Sequence, residues 1–286
     1  MQELDDYINR VKSLPPAPRI LPELLSLLRQ EDVDADRVVK LIEFDPAITA
    51  AVLRLCNSAV FAGAQPATDL QSAVTRLGFR QVYQLVAAVS GARMLGVAQK
   101  GCGINGGELW QHSVTAAVAA QFIAQSNGED ESLAFTAALL HDLGKIVLAG
   151  ALEHIYGELV ENSQSQQAAL IETEKRLLGV QHAEIGGRLL ARWKFPENIV
   201  SAVTFHHEPA AAKPHERLAA YVYLGNMIAY FMGCGYGHQA FALRGRAEAL
   251  DILKLKPDAL PQFMVKTFEK LQMVETLVKV SAPAGG

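Results

Sequence analysis

Cysteine is scarce in this chain of 286 residues and is poorly placed for chemistry. Cys56, Cys102 and Cys234 are odd in number, far apart and never in a CxxC pair. They exclude a disulfide framework and a thiolate zinc site, and they fit a reducing cytoplasm. A charge surplus is missing too: Lys and Arg number 26 against 30 Asp and Glu, a formal net charge of -4. No cationic excess steers the chain toward nucleic acid or an anionic membrane, and no DNA binding is expected. The opening residues, Met1-Gln2-Glu3-Leu4-Asp5-Asp6, lack the basic start and apolar centre of a signal peptide. Half the residues are apolar and a fifth are charged, which excludes disorder and fibrous repeats. The length suits one large domain or two small ones with a real core.

Charge is wholly absent between Arg217 and Arg244. A membrane-spanning helix needs roughly 20 mostly apolar residues. Gly225-Asn226 interrupts the middle of this run, and Gly233, Gly235, Gly237, His238 and Gln239 interrupt its end. A buried core helix is expected there, with no membrane partner.

Alternating strand patterns and hairpin turns are also lacking. Apolar spacing is helical nearly everywhere: Ile20, Leu24, Leu25, Leu27 and Leu28 form one stripe, and Val38, Val39, Leu41 and Ile42 another. Pro15, Pro16 and Pro18 end the first helix, and Asp45-Pro46 opens a later one as cap and first-turn proline. About a dozen helices and no sheet are expected. Gly101-Cys102-Gly103-Ile104-Asn105-Gly106-Gly107 breaks the periodicity without the Gly-Lys-Ser/Thr ending of a phosphate loop. The reading is therefore all-α with two helical lobes. Residues 1–95 form an N-terminal lobe, 96–107 a Gly-rich linker, 108–280 a helical bundle and 281–286 a frayed tail. Asp69 to Val86, with Leu77-Gly78-Phe79 between apolar stripes, has the outline of a helix-turn-helix. Only Arg76 and Arg80 could meet phosphates there, so an ordinary helical hairpin is the expectation.

What is present is a set of placed histidines. An apolar helix, Leu133 to Leu140, runs into His141-Asp142-Leu143-Gly144-Lys145. Adjacent helix positions lie about 100° apart, so imidazole and carboxylate can lean toward one point from a helix end. That donor pair suits Zn, Mn or Fe, and a carboxylate can bridge two ions. The competing reading is a plain helix C-terminus with Gly144 as its cap. Upstream, His112 follows Glu108 by four residues, which puts both on one helix face. Downstream, His182 opens a helix, and His206-His207 ends another. Helix-borne ligands of this kind converge in bundle cores.

This series, His112, His141-Asp142, Lys145, His182 and His206-His207, resembles the HD superfamily of metal-dependent phosphohydrolases. Its order of ligands is similar to the cyclic-dinucleotide phosphodiesterase branch. Leu14-Pro15-Pro16-Ala17-Pro18, Asp45-Pro46-Ala47-Ile48-Thr49, Arg54-Leu55-Cys56-Asn57-Ser58-Ala59, Ala73-Val74-Thr75-Arg76-Leu77-Gly78 and Trp193-Lys194-Phe195-Pro196 narrow it further. These segments resemble the HDOD domain, the HD-related output domain of bacterial signalling proteins, over residues 10–275. The resemblance implies an all-helical fold with an HD-type bundle and a cytoplasmic regulatory role, usually without demonstrated catalysis.

One ligand of the enzyme pattern departs. The final Asp falls within Leu218 to Phe231, where the only polar candidate is Asn226 and no carboxylate occurs. The Gly-Tyr-Pro segment of the cyclic-dinucleotide enzymes is replaced after His206-His207 by Glu208-Pro209-Ala210-Ala211-Ala212-Lys213-Pro214. Two divalent ions against Asp142 and Glu108 would leave the site short by about two negative charges, which is costly when buried. One ion held by Asp142, His182, His206 and His207 is therefore expected over two, with phosphate or a nucleotide as a compatible ligand. A signalling module with an unidentified protein partner is the first reading. The alternative is a phosphohydrolase in which Lys145 offsets phosphate charge. His154, His215 and His238 match nothing and are expected to be surface or structural.

Overall fold

Sixteen α-helices form among the described residues, and every regular element there is helical. The computed structural model describes residues 2–11, 18–30, 34–61, 63, 65–97, 104–152, 154–165, 168–235 and 247–279. The helices are α1 (Gln2–Arg10), α2 (Ile20–Leu28), α3 (Ala35–Ile42), α4 (Pro46–Cys56), α5 (Leu70–Leu77) and α6 (Phe79–Leu95). After the Gly-rich stretch come α7 (Glu108–Ser126), α8 (Glu131–Leu140), α9 (Leu143–Leu152), α10 (His154–Ser165), α11 (Leu170–Leu178) and α12 (His182–Arg192). The chain ends with α13 (Glu197–Thr204), α14 (Glu216–Phe231), α15 (Ala247–Leu253) and α16 (Leu260–Lys279). Leu14 to Ala17, residues 98–103 of the expected linker, His238 and the tail 281–286 lie outside the described residues.

The start signals act as polar caps. Asp45 accepts from the amides of Ala47 and Ile48 and opens α4 on Pro46. Asp34, Asp69 and Asp130 do the same for α3, α5 and α8. The helices outnumber the expected dozen because several breaks need almost no chain. Gly78, at φ 78°, alone separates α5 from α6, and His141-Asp142 alone separates α8 from α9.

Two groups of helices share one continuous apolar core. In the first, α6 packs on α2, α4 and α5; it then meets α7 and α8 of the second. In the second, α7 lies against α8 and α14, and α12 lies against α9 and α13. The terminal helices cross between the groups. α1 packs on α9 and α12, where Asp5 holds Arg188 at 2.7 Å and Arg192 at 2.8 Å. α16 touches α7, α4 and α6.

The helix-turn-helix outline resolves into a hairpin. α6 buries Val82, Tyr83, Val86 and Ala87, so it cannot lie in a DNA groove. Arg80 is spent on Glu131 at 2.8 Å and Arg76 on the Gln65 carbonyl at 3.0 Å. The first part of the charge-free run, Leu218 to Phe231, lies in α14 and is buried from Ala219 to Tyr230, and residues 236–243 lie outside the described residues. Among the described residues, one stretch has the length and apolarity of a membrane span, Glu131–Leu152, and it is almost wholly buried inside the protein.

Candidate metal centre

The His141-Asp142 dipeptide is the junction itself: α8 stops at Leu140 and α9 starts at Leu143. Gly144 is not a C-cap. It sits in the first turn of α9, where a Cβ would overlap the His182 carbonyl oxygen and crowd the Gly186 amide. A glycine here lets α9 lie directly on the N-terminus of α12 and so brings Asp142 to His182. That start is fixed in turn by Gln181 and Glu184, whose carboxylate accepts from the Gln181 amide at 2.8 Å in a capping box. His112 stands in the second turn of α7. His206 and His207 follow the end of α13.

These elements converge on the Asp142 carboxylate. Oδ2 lies 3.6 Å from His112 Nε2, 3.4 Å from His141 Nε2 and 2.8 Å from Lys145 Nζ. Oδ1 lies 3.2 Å from His182 Nε2 and 3.9 Å from His206 Nε2. His207 Nε2 is 3.0 Å from His182 Nε2. The donors fall into two triads, His182-His206-His207 and His112-His141-Asp142, with the ligand atoms of each within 4.8 Å of one another. His112, His141, Asp142, Lys145, His182 and His206 are all buried, and His207 is half-buried.

The outer nitrogens explain why the inner ones point inward. His141 Nδ1 is 2.6 Å from the Ala138 carbonyl, His206 Nδ1 is 2.7 Å from that of Val203, and His112 Nδ1 is 3.1 Å from that of Cys234. His182 Nδ1 is 2.8 Å from Glu174 Oε2. A carbonyl or carboxylate partner makes each Nδ1 the protonated nitrogen, which leaves an Nε2 lone pair facing the centre. His141 Nε2 and His206 Nε2 are buried without a hydrogen bond of normal geometry. A buried polar atom without a partner is costly, and a cation bound by these lone pairs removes that cost. The residues therefore fit a divalent transition ion.

Electrostatics agree with the tautomers. Burial pushes His112 down to about 3. Burial and neighbouring imidazoles hold His206 and His207 well below the usual range. Burial works against the Asp142 charge, but His141 and Lys145 outweigh it and keep the carboxyl well below its ordinary value. His182 alone moves up: burial opposes its charge, and Glu174 with Asp142 overcomes that penalty.

Two of the weaker sequence candidates have different positions. Glu108 is not brought into the cluster: both carboxylate oxygens are taken by Asn105, from its amide at 2.8 Å and its Nδ2 at 2.7 Å, at the start of α7. Its role there is local, because an acidic side chain satisfies a free amide before the first turn. Asn226 is buried, and its Oδ1 makes no hydrogen bond of normal geometry. It lies one turn before Tyr230, whose ring is 4.8 Å from that of His112. His215 immediately precedes α14 and belongs to neither triad. Sequence reasoning missed Glu174. It sits eight residues before His182 among other surface-type charges of α11, and no spacing rule sets it apart from Glu172.

The HDOD domain family pattern matches residues 14–209, more than half of the chain and every histidine of the cluster. The chain belongs to the HDOD family. An uncharacterized protein of Treponema pallidum (strain Nichols) is 28% identical to this HDOD chain over 227 residues, 78% of this chain and 44% of the relative. The chain thus spans less than half the length of that curated relative. Among solved structures, an HDOD domain protein of unknown function from Geobacter sulfurreducens has a TM-score of 0.71 at 23% identity, covering 98% of this chain and 95% of its own. A Shewanella amazonensis SB2B protein named "Putative phosphohydrolase" has a TM-score of 0.72 at 25% identity, covering 97% of this chain and 98% of its own. These likenesses establish the all-helical HDOD fold. Asn226 lies beyond the matched residues.

Proposed function

We propose that this chain is a regulatory HDOD module of a bacterial cytoplasmic signalling pathway, whose His/Asp cluster holds one divalent transition ion, Fe, Mn or Zn, as a structural or ligand-sensing centre. The observation that carries this reading is burial: six of the seven cluster side chains are closed off from solvent. Donors closed off in this way suit a resident ion that ties the helices together and is approached from one edge.

Charge supports one ion over two. Lys145 already sets a fixed positive charge 2.8 Å from Asp142 Oδ2, on the side of His112 and His141. An ion among Asp142, His182, His206 and His207 then meets the Asp142 carboxylate, with the buried Glu174 carboxylate behind His182. A second divalent ion beside Lys145 would leave the excess uncompensated in a low-dielectric interior. The half-buried His207 edge is where a phosphate or nucleotide would reach the centre. The protein partner is one that reads the state of that centre through the surrounding helices.

A second reading, a metal-dependent phosphohydrolase, rests on Asp142, whose two oxygens each face a separate triad as a bridging carboxylate would. The name of the Shewanella protein points the same way. A bound ion would lower the pKa of its water and polarise a phosphoryl oxygen, and Lys145 would offset phosphate charge. The test is turnover of nucleotides, cyclic dinucleotides and phosphomonoesters with Mn(II), Fe(II) and Zn(II). The regulatory reading expects none above background. Metal-dependent hydrolysis lost in His141→Ala would overturn it.

A further inference from the structure

We infer that Glu174, with Tyr156 behind it, is the positioning residue and second anion of the metal centre, acting through His182. The inference rests on the metal-binding reading above. It starts from an unusual cost: Glu174 is fully buried in α11, where a lone carboxylate would be strongly destabilising. Its two oxygens are divided between two tasks. Oε2 accepts from both the amide and Nδ1 of His182, each at 2.8 Å, and Oε1 accepts the Tyr156 hydroxyl at 2.6 Å. The first task fixes the start of α12 and the ring of its first residue together. The second ties the same carboxylate to α10, so three helices meet at one side chain.

The consequence falls on His182. The other three outer contacts of the cluster are backbone carbonyls, from Ala138, Val203 and Cys234, and these are neutral. Among these four contacts, that of His182 alone is to a carboxylate. A carboxylate behind an imidazole raises the donor strength of its Nε2 and locks its orientation. It also supplies, one bond removed, an anionic charge that α14 does not provide, because that helix carries Asn226 and no Asp or Glu past Glu216. The Tyr156 hydroxyl, donating to Oε1 at 2.6 Å, holds Glu174 in the rotation that presents Oε2 to His182.

The experiment uses the full chain, freed of metal and titrated with Co(II), whose visible absorption reports the ligand field, and with Mn(II). Glu174→Gln keeps a hydrogen-bond acceptor and removes the charge. It should weaken Co(II) binding by about 10- to 100-fold, the usual range for loss of such a partner, and shift the Co(II) absorption bands. Glu174→Asp should restore part of the affinity, which a merely structural role would not require. Tyr156→Phe keeps the charge and loosens it, so a loss of a few-fold is expected. This milder variant decides the matter if Glu174→Gln does not fold. Binding by Glu174→Gln within twofold of the unaltered chain, with an unchanged spectrum, overturns the inference while leaving the metal reading intact. So does a Tyr156→Phe protein that binds as the unaltered chain does, where the Gln variant fails to fold. Failure of the unaltered chain to bind either ion defeats the metal reading itself, and this inference falls with it.

Discussion

The imidazoles of the cluster are shifted in opposite directions by their surroundings, and titration should expose that difference. His112, His206 and His207 have folded values below the ordinary 6.5. Each is neutral when folded and protonated when unfolded below about 6.5, so its contribution to stability is present above that pH and lost as pH falls. His182 has the opposite sign: its raised value adds stability below the unfolded value, which is lost as pH rises through the folded one. For metal-free protein, the melting temperature should therefore fall between pH 7 and pH 5. Each of the three depressed histidines contributes up to about 1.4 kcal/mol per pH unit. Calorimetry across that range checks it, and a flat profile would contradict the assigned burial. Because the surroundings of His182 favour its protonated form, metal binding there should release protons, and more of them as pH falls. Titration calorimetry in buffers of different ionisation enthalpy measures it, and His182→Ala should abolish both release and binding. Lys145 gives a third expectation at this scale. If it stands in for a second ion, Lys145→Met should raise the metal content above one per chain, read by elemental analysis.

At the scale of the element, the centre depends on how closely α9 approaches α12. Gly144 is the contact: a methyl group there meets the His182 carbonyl oxygen and the Gly186 amide, both backbone and unable to swing aside. Gly144→Ala should cost about 1–3 kcal/mol or more, as overpacking does, and should also lower metal affinity by moving Asp142 from His182. Chemical denaturation and Co(II) titration read the two effects separately. Gly225→Ala, against the Ala116 carbonyl where α14 crosses α7, should cost a similar amount of stability. This is where the sequence is readable and where it is not. Asp45-Pro46, the stripe of α2 and the His182 helix start are legible because capping and 3.6-residue spacing are local rules. The end of α8 at Leu140 is legible too, but the restart of α9 only two residues later, with Gly144 inside its first turn, is not, because it depends on the close packing of α12. Glu174 escapes for the same reason: its meaning lies in Tyr156 and His182, which approach it only in the fold. Glu108 shows the opposite error, since its spacing from His112 is right and its carboxylate is nonetheless spent on Asn105.

Over the whole molecule, the first and last helices close the structure around the cluster-bearing ones. α1 clamps α12 through Asp5 to Arg188 and Arg192, and α16 lies across both groups of helices. The HDOD architecture thus holds a buried charged centre at the meeting point of α7, α9, α12 and α13, with its strongest acceptor, Glu174, reaching in from α11. Such a centre is stable only if its donors are satisfied, and four imidazoles with their inner nitrogens turned toward one carboxylate, with His207 beside them, are best satisfied by a cation. Elemental analysis of the full chain, purified without chelators or a histidine tag, tests that claim most directly. About one equivalent of Fe, Mn or Zn per chain, lost in His206→Ala, is the predicted result; metal-free protein that remains metal-free after incubation with these ions would contradict it.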